Sequence, residues 1–303
     1  GPAGILINNS RDATIWSNTC RTNAWHGIRA EYSANNLLIK GNSCTRNQKD
    51  GIIAVNGCSG IDIISNRCYR QVAEQGILVY GCNDINIIGN ITYRNVFNGI
   101  QVQAGCQNVM IRNNTSFSNT DGGITLWDNG VGPITVLSNT SYRNWGFNSG
   151  IRCYWSQKTL IEGNDVWGNT NSGINIEGGS NGIVVQYNKI HANGRNGGAN
   201  NQAGIFLFGL LGNGKRSKEV LIRQNDIYSN FNTGLYIIDD TKRCRIISNR
   251  IWWTRGSADP WNRGAIAEWC NPTGGTNFFH GNRIWKSTNG AVQAAGNGSM
   301  YSH

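Results

Sequence analysis

Residues 76–95 read GILVYGCNDINIIGNITYRN, and this stretch supplies a ruler for the whole chain. Its Asn90 recurs as Asn18, Asn42, Asn66, Asn114, Asn139, Asn164, Asn188, Asn225, Asn249 and Asn282, with successive gaps of 24, 24, 24, 24, 25, 25, 24, 37, 24 and 33 residues. So regular a period means that each stretch is one unit stacked on the next. Five and three residues before the asparagine stand apolar pairs such as Leu37/Ile39, Ile61/Ile63, Ile85/Ile87 and Ile183/Val185, the alternation of a strand with one buried face. Two residues after it the side chain is small or aliphatic, as at Cys20, Cys44, Cys68, Ser116, Val166 and Ile227. A further strand opens on Gly-Ile or a relative, from Gly27-Ile28 and Gly51-Ile52 through Gly204-Ile205, Gly234-Leu235 and Gly264-Ala265. No helical period interrupts this order. Three short strands per repeat make one coil of a parallel β-helix, rising about 4.8 Å. Asparagine tolerates left-handed backbone angles and its amide can bond its copies above and below, so the ladder residue is expected at a sharp turn. A second ladder, Asn23, Asn47, Asn95, Asn119, Asn144, Asn169, Asn193 and Asn230, suits another turn.

The pattern Gly-Ile…Ile-x-Ile-x-x-Asn-x-Ile-Tyr-x-Asn, which runs through essentially the whole chain, resembles the repeat of right-handed parallel β-helix proteins of the pectate-lyase-like superfamily. The resemblance implies an all-β, right-handed, single-stranded parallel β-helix of about 11–12 coils, three short strands each, and a carbohydrate-active role. That superfamily includes lyases, glycoside hydrolases, epimerases, phage spikes and plain carbohydrate-binding scaffolds, so the fold leaves the activity open.

One unbroken repeat over residues 1–303 is expected to form a single elongated domain. Twenty-seven basic against 17 acidic residues leave a formal charge of +10, which favours a polyanionic partner such as a uronate or sulfated glycan. The basic residues are scattered and no nucleic-acid reading motif is present, so nucleic acid is not expected as the partner. Nothing is long and apolar enough to span a membrane. No signal peptide is visible, but the chain starts within a coil; a secreted or cell-surface location is the expectation for a polysaccharide-active protein. Six of the nine cysteines form two columns, Cys20/Cys44/Cys68 and Cys58/Cys82/Cys106, whose members point the same way. That is poor disulfide geometry, and buried reduced thiols are expected instead.

The regularity breaks near 194–218 and 254–276, where extra residues flank the Gly-Ile strand on both sides. Loops inserted on one side of a solenoid build its binding face. Strand parity then sends Trp127, Arg152, Tyr154, Asn175, Glu177, Phe206, Phe208, Tyr236 and Ile238 outward onto a groove floor. In the strand begun at Gly264, the same count turns Ala265 and Ala267 inward and Glu268 outward beside Trp269. The loops add Arg195, Lys215, Arg216, Arg255, Asp259 and Trp261. Rings mixed with charges suit a sugar cleft, because rings stack on pyranose faces while polar groups bond hydroxyls or carboxylates. A second outward column, Tyr69, Tyr93, Phe117, Tyr142, Trp167, His191, Tyr228, Trp252 and Trp285, reads as a cross-coil ladder, with a glycan platform or docking surface as the alternative.

Hydrolysis of a glycosidic bond uses two carboxyl groups about 5–9 Å apart. Asp239 and Asp240 close one Gly-Ile strand and Glu268 sits in the next, which places the carboxylates roughly 6 and 8 Å apart. The leading expectation is a glycoside hydrolase with Asp239, Asp240 and Glu268 as catalytic groups. Trp127, Arg152, Tyr154, Glu177, Phe206, Phe208, Tyr236, Arg255, Trp261 and Trp269 would bind the substrate, and no cofactor is needed. The alternatives are a uronate lyase, with Lys215, Arg216, Arg255 or Tyr236 as base or cation and calcium on Asp239/Asp240, and a non-catalytic, spike-like glycan-binding solenoid. Of the four histidines, only His191 is expected on a coil near the groove, in a slot that makes it structural.

Overall fold

The computed structural model describes residues 3–130, 132–146, 149–195, 202–209, 216–239, 241–254, 264–270, 276–287, 292–294 and 300–302, with 239, 269, 270, 292–294 and 300–302 described by their backbone alone. Three parallel sheets run the length of the solenoid, with 12, 12 and 11 strands among the described residues, and every third strand in the chain joins the same sheet. Sheet 1 holds the Gly-Ile strands, such as Ile77–Tyr80; sheet 2 holds those like Asn83–Ile88; sheet 3 holds those like Ile91–Tyr93. No described residue is helical.

Each sheet lays one column of side chains into a shared interior. Ile28, Ile52, Ile77, Ile100, Ile124, Ile151 and Ile174 stack from sheet 1, and Ile39, Ile63, Ile87 and Ile111 from sheet 2, all fully buried. Sheet 3 contributes smaller groups: Cys20, Cys44, Cys68, Thr92, Ser116 and Ser141. In later coils the same column holds Val166, Ile190, Ile227 and Ile251, all buried, and throughout it lies against the glycine that opens sheet 1. A β-carbon on Gly123 would lie 1.9 Å from Ser141 Oγ and 2.5 Å from the Gly150 carbonyl, so only glycine fits at the head of that strand. The buried hydroxyls are satisfied locally, Ser116 Oγ donating to the Gly123 carbonyl at 2.9 Å and Ser141 Oγ to that of Gly150 at 2.7 Å. The eight described cysteines are free and buried.

The asparagine ladder is continuous from Asn18 to Asn282. At Asn114, the side-chain oxygen accepts from the Asn90 backbone N–H at 2.8 Å and from its Nδ2 at 3.0 Å, while Nδ2 of Asn114 donates to the Ile87 carbonyl at 2.8 Å and to Asn139 Oδ1 at 3.0 Å. The turn geometry departs from the sequence expectation in one respect. The left-handed residue is the one before the ladder asparagine: Ser17, Gly41, Ser65, Gly89, Asn113, Ser138, Gly163, Tyr187, Gln224, Ser248 and Gly281. The asparagine is retained for its buried amide, which caps carbonyls of two coils at once, and not for its backbone tolerance. The second ladder passes through Gln71, whose Oε1 accepts from Asn47 Nδ2 at 3.2 Å and whose N–H donates to Asn95 Oδ1 at 3.1 Å, filling the one slot between Asn23 and Asn230 that lacks asparagine.

A mid-ladder amide leaves several buried partners unsatisfied when removed, whereas a terminal one leaves few. Asn114→Ala is expected to cost on the order of 4 kcal/mol and Asn18→Ala about 1 kcal/mol, as read by urea denaturation. Equal effects would contradict the ladder's role.

Candidate functional site

The outer face of sheet 1 carries two columns. In register, the first runs Gln101, Thr125, Arg152, Asn175, Phe206, Tyr236 and Ala267; the second runs Gln103, Trp127, Tyr154 and Glu177, and continues with Phe208 and Ile238. At its centre the Arg152 guanidinium carbon lies 5.2 Å from the Trp127 ring centroid and 4.9 Å from that of Tyr154. Arg152 Nε and Nη2 both meet Glu177 Oε1. Glu177 is 8% exposed, so this charge-assisted pair is shielded from water while Trp127, 39% exposed, keeps part of its ring in solvent. Trp127 and Tyr154 stand 4.7 Å apart and tilted by 42°; Tyr154 also stacks on Trp155 at 5.1 Å. Beside them Asn175, 3% exposed, holds an Oδ1 with no hydrogen-bond partner among the described residues. A hollow of about 350 Å³ adjoins this cluster, lined by Asp128, Asn129, Trp155, Gly178, Gly179, Arg216 and Lys218 among others.

Phe206 and Tyr236 lie on the outward column but are 1% and 6% exposed. They pack against each other at 5.6 Å in a separate apolar cluster with Ala203 and Ala267, so their faces do not stand open for sugar stacking. Phe208 and Ile238, packed against the same cluster, are half-buried.

Glu268 does not face the groove. It pairs in register with Ile237, and Ile266 pairs with Leu235, so Glu268 points into the solenoid and is fully buried. The cause is a one-residue displacement. Ala265, not Gly264, takes the slot next to Gly234, as the 2.9 Å bond from the Leu235 N–H to the Ala265 carbonyl records. With a side-chain period of two, that slip exchanges the inner and outer faces of the strand. Inside, Glu268 Oε1 accepts from Asn277 Nδ2 at 3.0 Å, and Asn277 Oδ1 in turn accepts from the Cys244 N–H at 3.0 Å. Asp239 pairs by its backbone with Gly209 and Cys270, and Trp269 with Ile238, but their side chains lie outside the described residues. Asp240, Arg255, Asp259, Trp261 and Lys215 lie outside them entirely.

Another cluster on this side was not anticipated. His26, Asp50, Gln75 and Asn98 each stand immediately before a strand-opening glycine, and all are buried. His26 Nδ1 lies 3.1 Å from Asp50 Oδ2, and its Nε2 lies 3.3 Å from Arg29 Nη1, with the Arg29 guanidinium carbon 5.4 Å from the Trp25 ring centroid. Burial raises the Asp50 carboxyl above its ordinary range, and His26 offsets part of that rise. The polar row continues as Asn98 Nδ2 donates to Gln101 Oε1 at 2.7 Å and Thr125 Oγ1 donates to Asn98 Oδ1 at 2.9 Å. The recurrence of polar residues in the pre-glycine slot was the available signal. His191, by contrast, belongs to the column on sheet 3, its Nε2 3.1 Å from Asp165 Oδ1. That column is a stack of rings from Tyr69 to Trp285, with centroids 4.5–6.2 Å apart and planes within 3–13° of parallel. Neighbouring rings cover one another's faces, so within the stack only edges reach solvent. This is a cross-coil ladder and not a sugar platform.

The family model described as right handed beta helix region matches residues 1–140 and 75–251. The chain belongs to the right-handed β-helix family. Solved structures agree on the fold: a mutant of the periplasmic alginate epimerase AlgG superposes with a TM-score of 0.61 at 13% identity, covering 96% of this chain and 74% of that one. An alginate lyase from Paenibacillus sp. str. FPU-7 gives 0.57 at 16%, covering 94% and 99%. The pectate lyase Pel9A gives 0.50 at 12%, covering 87% and 70%. No curated protein matches the sequence.

In this right-handed β-helix the Asp50 pKa is higher folded than unfolded. The folded state therefore holds the extra proton as pH rises from near 4, and stability falls through that window up to the folded pKa. Asp50→Asn removes the charge penalty, so its melting temperature should exceed that of the parent at pH 7, and the difference should close in acid. A variant less stable at pH 7 would show that the His26 contact outweighs burial. Burial alone pushes the Cys153 thiol up to about 12, and burial is the largest of several causes that bring the Cys244 thiol to about 12. Neither should react with a thiol reagent at pH 8 until the protein unfolds, which peptide mapping after labelling would check.

Proposed function

We propose that the protein is a polysaccharide-modifying enzyme that acts on a uronate-containing chain along the outer face of sheet 1, by elimination and not by hydrolysis. The observation that carries this reading is the shielded cluster of Arg152, Tyr154, Trp127 and Glu177. A partly exposed ring, a cation and a phenol stand together there, beside the unpartnered Asn175 Oδ1. Hydrolysis is disfavoured because its second carboxylate, Glu268, points into the core. Alginate and pectate, named for the structurally similar enzymes, are both polyuronates, which is consistent with the net positive charge of this chain.

Elimination on such a polymer begins with removal of the proton at C5, made acidic by the neighbouring carboxylate once a cation neutralises its charge. The electron pair forms the C4–C5 double bond, the C4–O4 bond breaks, and the departing oxygen takes a proton. Arg152 is the candidate cation, exchanging part of its contact with Glu177 for the substrate carboxylate. The Tyr154 phenol is the candidate for proton transfer, and Trp127 for stacking on the sugar.

Polyuronates and neutral polysaccharides are to be assayed for unsaturated, ultraviolet-absorbing ends and for reducing ends. Tyr154→Phe and Arg152→Ala should each lower turnover on the order of 100-fold or more with the fold intact, while Glu268→Gln should retain turnover. Reducing ends without the unsaturated chromophore would restore hydrolysis. Full activity in Tyr154→Phe would remove the site, and binding without turnover would leave a glycan-binding solenoid.

A further inference from the structure

A second basic site lies away from sheet 1, where the ring stack of sheet 3 begins. Arg21, Thr22, Thr45, Arg46, Tyr69 and Arg70 line an open hollow of about 380 Å³. Arg21, Thr45 and Tyr69 occupy one register column on successive coils. Arg46 and Arg70 follow Thr45 and Tyr69 directly, in the next column. Tyr69 is the first ring of the stack: Tyr93 covers one of its faces at 4.8 Å, and its partner on the other side is Thr45, which has no ring. Thr45 Oγ1 is buried and without a hydrogen-bond partner.

One feature of this cluster is costly to the fold alone. The left-handed backbones of Arg46 and Arg70, at φ of 53° and 56°, do not single them out, because Arg94 and Arg143 hold the same angle in the same turn slot of later coils. Arg46 and Arg70 repel one another in register, and neither they nor Arg21 has a carboxylate partner among the described residues. Further along the same sheet Arg250 pairs with Asp226 and His191 with Asp165. Unpaired like charge around an orphan hydroxyl and a half-covered ring is the arrangement of a site that receives an anion.

We propose that this hollow is a non-catalytic subsite for an acidic polysaccharide. A pyranose packs on the uncovered face of Tyr69, its carboxylate or sulfate is held by Arg46, Arg70 and Arg21, and a hydroxyl meets Thr45. The choice of polymer rests on the function proposed above; the anionic chemistry does not. Single-stranded nucleic acid fits less well, because it needs successive free ring faces and this end of the stack offers one.

The test is binding by calorimetry in the Tyr154→Phe background, so that turnover at sheet 1 plays no part. Oligouronates, a sulfated oligosaccharide, a neutral oligosaccharide and an oligonucleotide are titrated separately. Asparagine accepts the left-handed angle, so Arg46→Asn combined with Arg70→Asn leaves the backbone undisturbed. It should weaken acidic-glycan binding roughly tenfold or more. Arg243→Asn combined with Arg250→Asn removes the same charge elsewhere and should change binding less than about twofold. The contrast between oligouronate and sulfated ligand identifies the anionic group. Equal loss in both double variants, equal binding of the neutral sugar, tighter binding of the oligonucleotide, or no binding by the parent would each overturn the subsite. Full turnover in the Tyr154→Phe variant with this binding retained would overturn only the catalytic reading.

Discussion

The buried amide ladder is the constraint on which everything else depends. Each ladder asparagine binds the coil before it and the coil after it, with bonds to backbone carbonyls and to its own copies, and these groups have no water to fall back on. Sliding one coil by a residue would break that set at once. The ladder therefore holds coils in register, and register in a strand decides which side chains face the core and which face solvent. Turn, core and outer surface are linked through this one interaction.

That linkage explains what was legible in the sequence. The spacing of Asn18 through Asn188 and the apolar pairs before each asparagine give the coil, its three strands and its inward columns, because period two and period 24 are imposed by packing alone. It also gives the outward placement of Trp127, Arg152, Tyr154 and Glu177, which lie in coils of ordinary length. Legibility fails where the ruler is stretched. Between Asn249 and Asn282 the strand had to be anchored on Gly264, and nothing local distinguishes that glycine from Ala265 as the residue that meets Gly234. One residue of ambiguity moved Glu268 from the proposed groove to the core. The turn was misread for a different reason: left-handed geometry and the buried amide occupy adjacent positions, and only coordinates separate them.

The outer face of sheet 1 is graded along its length. In the early coils one outward column mixes Leu6, Arg29, Ile53 and Leu78, and the buried polar row of His26, Asp50, Gln75 and Asn98 flanks it before the strand-opening glycines. Aromatic and charged groups meet at Arg152, and apolar packing takes over at Phe206 and Tyr236. A polar group held out of water on a solenoid exterior is destabilising unless it is bonded, and the chain of contacts from Asp50 through Gln101 to Thr125 satisfies most of it. Such a row rigidifies the floor next to the Arg152 cluster. Preorganisation of this kind is what electrostatic recognition of a charged sugar requires, because dipoles already aligned need not reorient when the ligand arrives.

Sheet 3 shows how the same repeat yields scaffold in one column and recognition at its end. Rings at the coil rise must stack, since a separation near 4.8 Å is close to ring contact distance, and stacking hides their faces. An interior ring is then committed to cross-coil packing whatever its chemistry, which is why His191 sits among tyrosines and tryptophans without a groove to serve. Only a ring at the end of the stack keeps a face, and only a coil in which the column changes from ring to hydroxyl leaves room beside it. Tyr69 over Thr45 is such a boundary, and the unpaired arginines gather there. In a solenoid, recognition is therefore to be sought at the discontinuities of its columns, where stacking and pairing stop.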